Sequence, residues 1–131
     1  MTSGSSTHRA VAEFVGTAFL LMSVVGSGIM AENLSAGNNA LALLCNTLPT
    51  GAMLVVLILI FGPISGAHFN PIVSLAFAIR GQLSSKELII FVFAQIVGAL
   101  IGVWIAHGMF DLPLIQASLK ADRKSTRLNS S

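Results

Sequence analysis

Between Ala10 and His107 the sequence offers three apolar stretches, each about as long as a bilayer is thick, and almost no charge to interrupt them. A helix needs about 20 apolar residues to cross the hydrocarbon. The first stretch occupies residues 10–31 and is broken by charge only at Glu13; the second occupies 40–61. The third has its apolar core from Leu88 to His107 and predicts a helix over 82–108. Composition agrees, with 54% hydrophobic and 9% charged residues, against about a quarter charged in soluble domains. So few charges cannot cover a water-facing surface, whereas lipid accepts apolar side chains. The expected fold is an all-α integral membrane protein, with three transmembrane helices, one re-entrant half-helix, and the bilayer as its principal partner.

A cleaved signal peptide is the alternative for the first stretch, since Arg9 precedes an apolar run. The run exceeds the usual apolar core of about 7–15 residues and carries a glutamate, which argues for a retained span. Residues 32–39 (ENLSAGNN) are polar and turn-rich and predict a short external loop. Pro49 bends the second span, which neighbouring helices can accommodate. Gly98 and Gly102, with Ala94 one turn earlier, have the small-residue spacing that lets helices approach closely. Residues 109–121 read as a second external loop, with Trp104 and His107 near its membrane interface.

Residues 62–81 are too apolar for a solvated loop, and the helix they suggest, Asn70 to Ile79, is too short to span. A helix from Asn70 to Ile79 would measure roughly 15 Å, at about 1.5 Å per residue, about half the hydrocarbon thickness. Such a segment dips in, comes back out, and must be buried against other helices. With this path Arg9, Arg80 and Lys86 share one side, and Glu32 and Asp111 the other. The positive-inside tendency makes residues 1–9 a cytoplasmic N-terminus.

The net charge of +2 comes from the last ten residues. Residues 122–131 (DRKSTRLNSS) hold Arg123, Lys124, Arg127 and Asp122; without them the count is 7−3 = 4 basic and 5−1 = 4 acidic. This run resembles the in-frame translation of a short-read sequencing adapter, so it is excluded from fold reasoning. No nucleic-acid partner follows from it. Cys45 lies alone in an apolar run and is expected to fill core space. No metal-ligand spacing, cofactor motif or catalytic group is present, which points away from an enzyme.

The chemistry concentrates in Ser65-Gly66-Ala67-His68-Phe69-Asn70-Pro71. Asn is a preferred helix N-cap, and Pro suits the first helical turn. Gly66 permits backbone conformations closed to other residues. A half-helix starting at Asn70 places the positive end of its dipole deep in the membrane, where it repels cations and attracts electron-rich oxygen. Asn70 can cap through its oxygen and offer its NH2 to a passing solute. An extended Gly66-Ala67-His68 would turn carbonyl oxygens toward a cavity as acceptors.

AEFVGT (12–17), SGAHFNP (65–71) and AQIVGA (94–99) resemble the first half of an aquaporin, of the major intrinsic protein family, and the phrasing is similar to bacterial members. The resemblance covers Arg9 to about Lys120. It implies an aquaporin-like six-helix fold built from two inverted repeats, of which this is the first, and a homotetramer in the plasma (inner) membrane. The family's second Asn-Pro motif and its filter arginine have no counterpart here, so the chain is expected to supply half a pore. It departs from the family's Asn-Pro-Ala at Ile72, where the half-helices would touch. Either the pore tolerates the change or its midplane constriction shifts. The filter position twenty residues before Asn70 is Thr50, since 70−20 = 50. Water-selective members carry an aromatic there, so a small polar residue implies a wider pore passing water, glycerol or undissociated metalloid acids. By the same resemblance Glu13 is a strut accepting hydrogen bonds from the re-entrant backbone, and Gln95 is a second buried polar group needing a partner. His68 either lines the pore or has its ring pinned on the third helix with only its carbonyl exposed. Two other classes stay open: a non-conducting half-protein that needs a partner, and an ion-coupled transporter. The transporter class is disfavoured because the lone in-span carboxylate, Glu13, is expected to lie away from Asn70.

Overall fold

The computed structural model describes residues 5–115. The calls on 122–131 and on 116–121 of the second external loop lie outside the described residues. The elements are α1 (Ser6–Leu34), α2 (Asn39–Ser65), the nine-residue α3 (Pro71–Ile79) and α4 (Ser85–Met109). Helices α1, α2 and α4 are long and apolar enough to cross a membrane. No strand occurs among the described residues.

Local chemistry sets most boundaries. Ser5 and Asn38 cap α1 and α2 by accepting from His8 N and Leu41 N. Helix α1 runs through Glu32, Asn33 and Leu34, which the sequence predicts as loop. The turn is confined to 35–38, where Ala36 (φ 50°) and Gly37 (φ 83°) reverse the chain. Helix α2 continues past residue 61 and contains both Pro49 and Pro63. Each proline removes one helical N–H without ending the helix, and α2 stops only at Gly66, whose φ of 97° is left-handed. Helix α3 ends in a Schellman turn: Gln82 N donates to Phe77 O, Gly81 N to Ala78 O, and Gly81 is left-handed (φ 72°). Three residues later Ser84 and Glu87 form a capping box that starts α4.

Helix α1 is central, packing on α2 along one side and α4 along the other; α3 rests on α4. The α1–α4 seam is close because it is glycine-lined. A Cβ on Gly98 or Gly102 would run into the backbone carbonyl of Phe14 or Ala18. Arg9 on α1 pairs with Glu87 on α4, so both helices begin at the same end and run parallel. The Arg9 guanidinium also lies over the Phe91 ring, 5.2 Å from its centre.

Helix α2 is looser. Only Leu57 and Ser65 are buried among its residues. Cys45, expected to fill core space, is instead exposed. It borders a cavity of about 270 Å³ between the second half of α1 and the first half of α2.

Candidate functional site

The site is the segment Gly66–Asn70 that joins α2 to α3. Three of its residues are left-handed: Gly66, Ala67 (φ 51°) and Phe69 (φ 50°). For Ala67 and Phe69 this conformation is uncommon and costs energy, so surrounding structure must hold it. Glu13 supplies that hold. It is fully buried, and its carboxylate accepts four hydrogen bonds. Oε1 accepts from Ser65 Oγ at 2.6 Å and His68 N at 3.0 Å. Oε2 accepts from Phe69 N at 2.7 Å and Gln95 Nε2 at 2.9 Å. One side chain on α1 thus ties together the end of α2, the irregular segment and α4.

The sequence sets Glu13 apart from Asn70. The fold corrects this, because the carboxylate holds the N–H of Phe69, the residue next to Asn70. Four donors occupy the carboxylate, and it has no exposed surface.

Gln95 also donates to Ser74 Oγ at 2.9 Å, and Ser74 Oγ lies 3.0 Å from His68 Nδ1. Ser74 Oγ therefore accepts from Gln95 while sharing a second hydrogen bond with the His68 ring, whose direction depends on the imidazole tautomer. Gln95 Oε1 has no hydrogen-bond partner among the described residues. The His68 ring is packed on Phe77, with centres 4.4 Å apart, and edge-on to Phe91 of α4 at 5.5 Å. His68 is buried, 8% exposed.

Asn70 is the N-cap of α3 and Pro71 its first residue. Asn70 Oδ1 accepts from Ile72 N at 2.8 Å. Asn70 is exposed, and the Oδ1 bond leaves its amide hydrogens as donors on an open face. Ile72 is 70% exposed beside it. Thr50 does not join this group. It lies 65−50 = 15 residues before Ser65 on α2, about 22 Å away at about 1.5 Å per residue, and its buried Oγ1 has no hydrogen-bond partner among the described residues.

Four contributors are missing from the sequence reading: Ser65, Ser74, Phe69 and Gly16. Ser74 carried a signal, as the only polar side chain in the apolar run Pro71–Ile79. Ser65 and Phe69 stood inside the quoted motif without an assigned role. Gly16 stood inside the quoted AEFVGT without an assigned role; in three dimensions a Cβ there would clash with the edge of the Phe69 ring.

Comparison with known proteins agrees with this geometry. The family model described as Major intrinsic protein matches residues 1–130. The chain is 55% identical to Aquaglyceroporin AqpS of Rhizobium meliloti (strain 1021), over 87% of this chain and 48% of that protein. It is 36% identical to Aquaporin Z of Brucella melitensis biotype 1, over 71% of this chain and 40% of the relative. It is 32% identical to a probable aquaporin NIP-type of Nicotiana alata, over 80% of this chain and 37% of the relative. The chain thus spans less than half the length of each of these relatives. On the family match and the identity to these relatives, the chain belongs to the major intrinsic protein family.

Proposed function

We propose that this chain forms the first half of a passive channel for water and small uncharged solutes. The observation that carries the reading is Asn70: an exposed amide at the N-terminus of a helix too short to span. There the helix dipole and the free amide hydrogens suit a neutral, oxygen-rich solute and disfavour a cation. The backbone beside it is left-handed at Gly66 and Ala67, not extended as the sequence suggests, so the reading rests on Asn70 rather than on a row of carbonyls. The names of the matched relatives, aquaporin and aquaglyceroporin, point the same way.

In finer detail, the N-terminus is cytoplasmic, the membrane is a bacterial inner membrane, and the complete channel is a homotetramer. Thr50 widens the filter enough for glycerol or an undissociated metalloid acid. The test is to read the gene past the codon for Lys120 and reconstitute the product of the intact frame in liposomes. Swelling in both osmotic and glycerol gradients is the expected result, and Thr50→Phe is expected to lower glycerol flux more than water flux. Water flux with no glycerol flux would remove the wide pore. No flux of either overturns the channel reading.

A further inference from the structure

We propose that Gly16 is a positioning residue for Asn70, acting through a notch in α1 that seats the Phe69 ring. The functional part of this inference rests on the channel reading; the geometric part does not.

Three glycines in the α1–α4 region are close-packed, but they meet different things. Gly98 and Gly102 face backbone carbonyls, which no side-chain change can move. Gly16 faces the ring edge of Phe69: Cε1, Cζ and Cδ1 are the nearest atoms to any Cβ placed there. That ring has little freedom to yield. It is 4% exposed, and it also meets Phe61, edge-on at 6.1 Å. Its own N–H is bound to Glu13, and its backbone is left-handed. Asn70 follows directly. A side chain at position 16 therefore displaces the ring, the ring displaces the strained segment, and the segment shifts Asn70 together with the start of α3. Glycine at 16 leaves the depth of Asn70 to be set by α1, the helix that also carries Glu13.

The experiment places one thiol at the head of α3, as Ile72→Cys in a Cys45→Ser background, and measures its labelling rate by a water-soluble maleimide in membrane vesicles. Gly16→Ala is expected to change that rate by about tenfold, as for strongly coupled neighbours. Adding Phe69→Leu removes Cε1 and Cζ and is expected to return the rate toward the parent value. Gly98→Ala serves as the comparison, and Phe69→Leu is expected not to relieve its effect. An unchanged rate in Gly16→Ala overturns the inference, and so does a change that Phe69→Leu fails to relieve. In the reconstituted product with Ile72 intact, Gly16→Ala is expected to shift the glycerol-to-water permeability ratio, and the double variant to restore it. A labelling change without a ratio change overturns the functional part. A parent protein that passes no solute overturns the channel reading, and the labelling result alone then decides whether Gly16 sets the position.

Discussion

Helices α2 and α4 are similar in length and both strongly apolar, yet they pack against α1 in different ways. Helix α4 buries Phe91, Gln95, Gly98, Gly102 and Ala106 in a continuous line. Helix α2, with 27 residues, buries two. Its side-chain hydrogen bond to α1 in the upper half is Ser27 Oγ to Asn46 Oδ1 at 2.8 Å, close to the open cavity. Hydrophobicity cannot explain the contrast, since lipid is as apolar as leucine and gives helices no reason to prefer one another. The α1–α4 seam is made by small residues that admit backbone contact and by polar groups with nowhere else to bond. Helix α2 presents leucine, isoleucine and valine on most sides, which leaves its other faces free for lipid or further protein.

The contrast can be broken most severely at Glu13. Glu13→Leu strands the donors of Ser65, His68, Phe69 and Gln95 in a dry interior, at about 1–3 kcal/mol for each donor left unpaired. The expected outcome is loss of the folded state, read as a collapsed thermal transition in detergent, with Glu13→Gln losing less. Stability unchanged by Glu13→Leu would mean the cluster organises nothing. The next largest effect is at the seam. Gly98→Ala is expected to destabilise by about 1–3 kcal/mol, as overpacking does, measured by denaturant titration of far-ultraviolet circular dichroism. On the α2 side, Ser27→Ala removes one interhelical hydrogen bond, worth about 0.6 kcal/mol inside membranes. The smallest change belongs to Leu59→Ala, where the side chain is largely exposed. It is expected to stay within about 0.5 kcal/mol of the parent. If Leu59→Ala costs as much as Gly98→Ala, the two helices are not different in kind.

Much of this arrangement was legible in the residues. Apolar length marks the spans, and Asn70-Pro71 marks the cap of a short helix, because capping is local chemistry that a few residues specify. Helix ends were less legible. Glu32–Leu34 stay helical because nothing stops them before the left-handed turn at Ala36 and Gly37, and α2 runs past Pro63 because its stop signal is Gly66. The exposure of Cys45 and the nearness of Glu13 to Asn70 were not legible. Both depend on which helix faces which, and periodicity is weak evidence where every face is apolar. The Gly16–Phe69 notch joins residues far apart in the chain, and no short-range pattern announces it.

Glu13 has one more consequence, and it concerns the order of assembly. Its partners stand 52, 55, 56 and 82 residues further along the chain. During synthesis α1 therefore enters the bilayer with its carboxylate unpaired, a burden of about 2.5–3.5 kcal/mol for an acidic residue at the centre of a translocating helix. Placement one turn from the start of the apolar run lightens that burden by keeping the carboxylate near the interface. The last donor, Gln95, arrives only with α4. Three of the four donors are in place once the segment before α3 has been made, and the carboxylate gains its full set only when α4 joins α1.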